Sequence, residues 1–150
     1  MKPSKVMEER IRRVKIHFKE LGYKIVETER SDEAFSAGFK NAEGLQGGFF
    51  IERDSRFMEI AYTFSFSSTM AAYVRTRLEE MLKICYEYGC YINLQTNEHE
   101  IAFSVFSKLY YTGLSYYALK DSLHEFRNCV GALTELLEIG AENESPEEAT

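Results

Sequence analysis

The sequence predicts an α+β fold in which helices accompany an antiparallel sheet in the order α-βββ-α-ββ-α. Three segments repeat their apolar residues at the spacing of a helix, and the two segments between them alternate apolar and polar residues at the spacing of a strand. A chain of 150 residues, 45% of them hydrophobic, can bury roughly 70% of its unfolded surface in one compact domain. We therefore expect a single domain over residues 1–140.

The first helix is predicted near the amino terminus. Ser4 can cap this helix and Gly22 can end it. Its apolar residues follow the helical spacing of four, three, four and three: Met7, Ile11, Val14, Phe18 and Leu21. On the solvent side, Glu8 stands four residues before Arg12 and Glu9 four before Arg13, so we expect two ion pairs there.

Strands are predicted between Tyr23 and Phe66, where the apolar period becomes two. Two runs alternate with polar residues: Phe35, Ala37 and Phe39, then Met58, Ile60, Tyr62, Phe64 and Phe66. The polar residues 53–56 predict a turn before the second run. The segment between Tyr23 and Ala42 is long enough for one bent strand or two, which leaves the strand count open by one.

A second helix is predicted from Met70 to Tyr88, with caps available at Ser67, Ser68 and Thr69 and an end at Gly89. Alternation then resumes on both sides of the turn at residues 97–99, which indicates a hairpin. The third helix begins after Ser115 and ends near Gly140, with one apolar face: Leu119, Leu123, Phe126, Val130, Leu133 and Leu137. Residues 141–150 are rich in glutamate, and we expect a disordered acidic tail there.

The composition indicates a cytoplasmic protein with reduced thiols. No apolar stretch approaches the roughly 20 residues that a membrane span needs, and the amino terminus is charged. Cys85, Cys90 and Cys129 are odd in number and lack metal-ligand spacing, so we expect no disulfide. Cys85 and Cys129 fall on apolar helix stripes, which predicts buried core thiols. We expect no metal and no cofactor.

The catalytic residue types that occur near one another lack the geometry of a catalytic site. Asp121, Ser122 and His124 have the side chains of a hydrolase triad, but one helical turn cannot aim all three at each other in series. Gly44, Gly47 and Gly48 are followed by neither a Lys-Ser pair nor a helix, so they do not predict a phosphate loop. We therefore expect no catalytic residues and no enzymatic activity.

The charge is distributed unevenly along the chain. The net charge is −6, yet residues 1–24 carry eight basic and three acidic residues, and residues 121–150 carry one basic and eight acidic. An acidic protein repels nucleic-acid phosphates, so the net charge argues against nucleic-acid binding. Lys5, Arg12, Lys15 and Lys19 fall near one face of the first helix. This basic face is either solvated, or meets an acidic partner, nucleic acid or the acidic tail.

Tyrosines predict a partner-binding surface near the start of the third helix. Tyr110, Tyr111, Tyr116 and Tyr117 flank a short connection and cannot all face the core. Tyrosine is enriched at protein interfaces, although ordinary half-buried packing is the alternative. Phe57 belongs to the same hypothesis because its strand has apolar groups on both faces, so that either helices of this chain or a partner subunit must cover the second one.

One stretch resembles a known family. The strand from Ile101 runs into Tyr111-Thr112-Gly113-Leu114-Ser115 and a helix with Leu119, Leu123 and Phe126, a pattern similar to that of YbjN domains, known as sensory transduction regulators. Over Lys5 to Gly140, the element order is similar to the fold that YbjN domains share with class I type III secretion chaperones. The markedly basic first helix departs from the pattern of both families.

The resemblance implies a bacterial protein without a catalytic motif that binds other proteins. Such proteins are often homodimers whose sheet faces or grooves receive an extended segment of the partner. Our first hypothesis is therefore a non-enzymatic chaperone or adaptor that holds a secreted or signalling polypeptide. The alternative is a YbjN-like regulatory or signalling domain that binds a ligand or nucleic acid through its basic first helix.

Overall fold

A computed structural model describes the backbone of residues 4–149 and the side chains of residues 4–137. The ten main elements are α1 (Lys5–Glu20), β1 (Lys24–Arg30), β2 (Ala34–Lys40), β3 (Gln46–Glu52), β4 (Phe57–Ser67), α2 (Ala71–Thr76), α3 (Leu78–Glu87), β5 (Tyr91–Thr96), β6 (Glu100–Tyr110) and α4 (Tyr116–Ala149). Short 3-10 turns lie at Ser68–Met70 and Tyr111–Gly113.

The six strands form one antiparallel sheet in the order β1-β2-β3-β4-β6-β5, which confirms the predicted α+β class. Phe35 pairs with Ile51 between β2 and β3, and Ile51 pairs with Met58 between β3 and β4. All three side chains are buried, since paired residues of neighbouring strands point to the same face. This register places the predicted alternating residues of β2 and β4 on one apolar face.

The segment between Tyr23 and Ala42, for which the sequence allowed one bent strand or two, contains two strands, β1 and β2. Four strands therefore precede α2. The chain reverses at Ser31, whose hydroxyl accepts hydrogen bonds from the N–H groups of Glu33 and Ala34. β1 gave no alternating signal because it lies at the edge of the sheet and nearly all of its side chains are exposed. The observed order is therefore α-ββββ-αα-ββ-α.

The second predicted helix is interrupted at Arg77, which corrects the prediction of one continuous helix. The Arg77 backbone departs from helical geometry, with φ −105° and ψ 2°. Its guanidinium lies 3.7 Å from the centroid of the Tyr73 ring and donates a hydrogen bond to the Tyr73 carbonyl. Val74, Met81 and Cys85 of the predicted stripe are nevertheless buried on both sides of the interruption, whereas Leu82, which the stripe also includes, is exposed.

The last helix is longer than predicted. The Ser115 hydroxyl accepts the N–H of Ala118 at 3.0 Å, as expected of a cap, and the predicted apolar residues Leu119, Leu123 and Phe126 are buried. The structure continues α4 through residue 149, whereas the prediction ended it near Gly140. Disorder of residues 141–150 stays a prediction.

The chain groups into two compact units, so the single domain over residues 1–140 stays a prediction. One unit comprises the chain to Tyr62 together with Phe106–His124, and the other comprises Thr63–Val105 together with the chain from Glu125. In the first unit, Phe18 of α1 stacks on Phe49 with ring centroids 4.7 Å apart. In the second unit, Phe64 stacks on Phe103 at 4.6 Å. Each unit thus has its own aromatic packing.

Candidate functional site

The predicted basic face divides between two open clefts that flank α1. The first, here called the β1 cleft, has a volume of about 350 Å³ and is lined by residues that include Ile11, Arg12, Lys15, Ile16, Lys19 and Arg30. The second, here called the Tyr111 cleft, has a volume of about 420 Å³ and is lined by residues that include Lys5, Val6, Arg10, Arg13, Tyr111 and Thr112. Lys5 is therefore separated from the other three residues of the predicted face.

Carboxylates neutralise much of the β1 cleft. Glu9 accepts two hydrogen bonds from the Arg12 guanidinium, and Glu27 contacts both Arg30 and Lys15, the latter at 3.8 Å. The hydrogen bond from Arg12 lowers the pKa of Glu9, and the hydrogen bond from Arg30 lowers the pKa of Glu27. Arginine and lysine side chains that already hold carboxylates have less attraction left for phosphate.

The ion pairs on α1 differ from those predicted. Glu9 pairs with Arg12, three residues away, and not with Arg13. Arg13 instead donates a hydrogen bond from Nη2 to the carbonyl oxygen of Leu114 at 3.2 Å. Arg13 therefore lines the Tyr111 cleft and is not the solvent-side partner of Glu9 that was predicted.

Arg10 is fixed in the Tyr111 cleft by two contacts. Its guanidinium carbon lies 4.2 Å from the centroid of the Tyr111 ring, a cation–π geometry, and its Nη1 donates to the carbonyl oxygen of Ser55 at 3.1 Å. Within the part of the chain that the structure describes, Lys5, Arg10 and Arg13 form no ion pair with a carboxylate. The three cations of this cleft therefore exceed its one carboxylate, Glu9.

Tyr111 is buried, whereas the sequence predicted it as part of a partner-binding surface. It is only 7% exposed, and its buried hydroxyl has no hydrogen-bond partner among the described residues. Burial raises the pKa of Tyr111 to about 12, with a smaller opposing effect of Arg10, so the hydroxyl stays protonated at neutral pH. The ring supports Arg10 and forms one wall of the cleft.

The other predicted tyrosines lie in two separate pairs. Tyr110, 52% exposed, packs edge-on against Phe57 with centroids 5.4 Å apart. Tyr116 and Tyr117 form a perpendicular pair at the start of α4, with centroids 5.1 Å apart and Tyr117 72% exposed. Tyr110 and Tyr117 thus have the exposure that a binding surface needs, whereas Tyr111 does not.

An exposed aromatic surface extends across three neighbouring strands. Phe50 of β3, 40% exposed, pairs with Glu59 of β4, so both lie on the face opposite Phe49 and Ile60. Phe57 lies two residues before Glu59 and shares that face, as does its contact Tyr110 of β6. The Lys108 ammonium lies 4.6 Å from the centroid of the Phe57 ring. We call Phe50, Phe57, Lys108 and Tyr110 the outer aromatic cluster.

Sequence reasoning missed Arg10, Arg13 and Phe50. Arg10 and Arg13 stand three residues apart on α1, which places them on one side of the helix, but their partners Tyr111 and Leu114 lie about a hundred residues further along the chain. Phe50 follows Phe49 directly, and only the register with β4 shows which ring faces the core. The spacing of three residues was a signal for Arg10 and Arg13, but their partners could be identified only from the fold.

The three cysteines are buried free thiols, in agreement with the burial predicted for Cys85 and Cys129. Cys129 of α4 donates a weak hydrogen bond to Cys85 of α3, with the sulfur atoms 3.9 Å apart. Hydrogen bonds to Cys85 and Cys90 raise the pKa of the Cys129 thiol. Within the described chain, no group of three or more His, Cys, Asp or Glu residues has the arrangement of a metal site.

Comparison with known proteins supports the fold alone. No helix in the described part of the chain has both the length and the apolar character of a membrane span. No protein-family model and no curated protein matches the sequence. Among solved structures, the chain is similar to an uncharacterized protein from Methanothermobacter thermautotrophicus, with a TM-score of 0.59 and 18% sequence identity over 87% of this chain and 95% of that chain.

Proposed function

We propose that this protein is a non-enzymatic adaptor or chaperone that holds a segment of a partner polypeptide on the outer aromatic cluster. The observation that carries the proposal is the exposure of aromatic rings on the side of the sheet opposite the apolar core. Phe50 and Tyr110 are both exposed, and they belong to β3 and β6, with Phe57 of β4 between them. This arrangement offers a flat, partly apolar surface three strands wide.

The chemistry of this surface suits a polypeptide. Aromatic rings supply large contact areas, and the tyrosine hydroxyl can still form hydrogen bonds at the edge of an interface. The Lys108 ammonium over Phe57 and the Glu59 carboxylate beside Phe50 add charges of both signs at the same face. Mixed charge around an apolar centre is typical of protein interfaces, whereas a phosphate-binding surface would be predominantly basic.

The resemblance to YbjN domains and class I type III secretion chaperones supports the same proposal, because both families bind proteins without a catalytic motif. In this proposal the protein works in the cytoplasm as a homodimer, and its partner is a secreted or signalling protein. The alternative, nucleic-acid binding through the basic face, has less support because Arg12 and Lys15 already contact carboxylates.

The test is quantitative affinity capture from a native lysate with three tagged proteins. These are the wild type, the double variant Phe50→Ala with Tyr110→Ala, and the control Tyr86→Ala, which removes an exposed aromatic ring from α3 in the other compact unit. We expect one dominant co-purifying protein that survives nuclease, with recovery at least tenfold lower for the double variant and unchanged for the control.

Both variants remove exposed rings, so circular dichroism and thermal unfolding should show that each remains folded. Undiminished capture by a folded double variant would contradict the assignment to the outer aromatic cluster. Loss of every co-purifying protein after nuclease treatment would contradict the adaptor proposal itself and favour the nucleic-acid alternative.

A further inference from the structure

The Tyr111 cleft is lined by three cationic side chains and one carboxylate, that of Glu9. Lys5, Arg10 and Arg13 line it, and none of them pairs with a carboxylate in the part of the chain that the structure describes. Glu9 also lines the cleft, but its two carboxylate oxygens already accept hydrogen bonds from Arg12. The lining therefore carries an excess of positive charge, three cations against one carboxylate.

The two arginines are held in place without using most of their donors. Arg10 is positioned by the Tyr111 ring and the Ser55 carbonyl, and Arg13 by the Leu114 carbonyl. A guanidinium has five N–H donors, and each of these carbonyls uses one of them. Positioned guanidinium groups bind carboxylate and phosphate oxygens in pairs of parallel hydrogen bonds, with less loss of side-chain freedom than a mobile arginine would incur.

The cleft has the volume of a small-molecule site, but it is open to solvent and lined mainly by charged residues. Its volume of about 420 Å³ lies in the range of ligand pockets, and the exposed Val6 and the Tyr111 ring give it an apolar part. The hydroxyl of Tyr111 is buried without a partner, which is an unusual state for a polar group. Because the hydroxyl oxygen itself is inaccessible, the Tyr111 ring and not its hydroxyl belongs to the proposed site.

We propose that the Tyr111 cleft binds the oxyanion, a carboxylate or a phosphate, of a small ligand between the guanidinium groups of Arg10 and Arg13. Lys5 adds a third positive charge at the same cleft, and Val6 contacts the apolar part of the ligand. This site is independent of the outer aromatic cluster, so that either proposal stands if the other fails.

The test is an NMR titration of the full chain at constant ionic strength, with sodium chloride replaced stepwise by sodium phosphate in one arm and by sodium benzoate in the other. The arginine side-chain N–H signals report directly on Arg10 and Arg13. We expect at least one anion to shift these signals saturably, with a dissociation constant in the millimolar range that is typical of a fragment-sized ligand. The arm that saturates identifies the oxyanion, and benzoate also tests the apolar part of the cleft.

Two matched variants make the titration decisive. Lys5→Gln with Arg13→Gln removes two positive charges from the Tyr111 cleft, and Lys15→Gln with Lys19→Gln removes two from the β1 cleft of the same helix and leaves the Glu9–Arg12 pair intact. We expect the dissociation constant to rise at least tenfold in the first and less than threefold in the second. If the first double variant is poorly folded, Lys5→Gln alone replaces it, because this substitution removes no described contact. We expect this single variant to raise the dissociation constant severalfold.

Three results would overturn the proposal. One is the absence of saturable shifts at the Arg10 and Arg13 signals with both anions. Another is an equal loss of affinity in the two double variants, which would indicate a nonspecific effect of helix charge. The third is an affinity in a folded Lys5→Gln variant, or in the folded Lys5→Gln with Arg13→Gln variant, that equals that of the wild type.

Discussion

At the scale of the residue, Tyr111 connects distant parts of the first compact unit. Its ring supports Arg10 of α1, and its backbone N–H donates to the Arg56 carbonyl in the turn before β4 at 3.0 Å. Its hydroxyl is buried without a partner. An unsatisfied buried hydroxyl costs about 1 to 3 kcal/mol of folding free energy, so the ring stabilises the fold while the hydroxyl opposes it.

The substitution Tyr111→Phe separates these two contributions. Because the folded pKa is raised from 10 to about 12, the unfolded state loses its proton first as the pH rises. Ionisation of this group therefore has no effect below pH 10 and lowers the free energy of unfolding between pH 10 and about 12, by a total on the order of 3 kcal/mol. We expect Tyr111→Phe to be at least as stable as the wild type at neutral pH. Between pH 10 and about 12, its free energy of unfolding should fall less than that of the wild type.

Urea denaturation from pH 9 to 12 measures the difference between the two proteins. Tyr117→Phe is the matched control, since it removes a hydroxyl from a ring that is mostly exposed. Parallel curves for the wild type and Tyr111→Phe would show that the hydroxyl is solvated or hydrogen-bonded in the folded protein.

At the scale of the element, β3 contains two adjacent glycines, Gly47 and Gly48, which lie on opposite faces of the sheet. A Cβ atom at Gly47 would lie 2.7 Å from the Ala61 carbonyl oxygen and 2.9 Å from the Phe39 ring. A Cβ atom at Gly48 would meet the Ala37 carbonyl oxygen and the Phe50 ring at 3.5 Å, which is ordinary contact. The core face of β3 therefore requires glycine, and the outer face does not.

We predict that Gly47→Ala lowers the free energy of unfolding by about 1 to 3 kcal/mol, because the strand or the Phe39 ring must shift. Gly48→Ala adds the same methyl group one residue later and should change stability by less than about 1 kcal/mol, since alanine also restricts the unfolded chain. Urea denaturation of the two variants tests the assignment of faces. Equal destabilisation, or a larger loss for Gly48→Ala, would contradict the register of β3.

Elements with one buried face could be predicted from the sequence, and elements without one could not. α1 buries the predicted Met7, Ile11, Val14 and Phe18, since a helix on a sheet must keep its apolar residues on one side. β1 was not resolved from β2 because an edge strand exposes both faces. The interruption at Arg77 was not predictable from the apolar pattern, because Val74, Met81 and Cys85 keep helical spacing across it.

The candidate sites were predictable only in part for a related reason. The basic character of α1 is evident from composition, but which cations remain unpaired depends on Glu9 selecting Arg12 and on Glu27 of β1 reaching Lys15. Tyr110 and Tyr111 are neighbours in sequence, yet one is exposed and the other buried. The local sequence identifies the residue types of a site, whereas long-range packing determines which side chains remain exposed or without an ion pair.

At the scale of the whole molecule, charge decides which anions can approach. The net charge is −6, and the carboxyl-terminal residues 121–150 carry eight acidic residues. A nucleic-acid strand meets the field of the entire protein, and its binding depends on neutralising many phosphates at once. A small oxyanion meets only the local field of a cleft. The same acidic protein can therefore repel a polyanion and still bind a single carboxylate or phosphate.

We predict that mixed-sequence single-stranded RNA and double-stranded DNA show no saturable binding even at low salt, where attraction to phosphates is strongest. Fluorescence anisotropy with labelled oligonucleotides measures this, and a basic peptide serves as the positive control for the assay. Arg12→Gln with Lys15→Gln, which removes two cations of the predicted basic face, should be indistinguishable from the wild type. Saturable binding that weakens with salt and disappears in that variant would instead identify the basic face as a nucleic-acid surface, since losing two phosphate contacts would reduce the salt dependence by about two counterions.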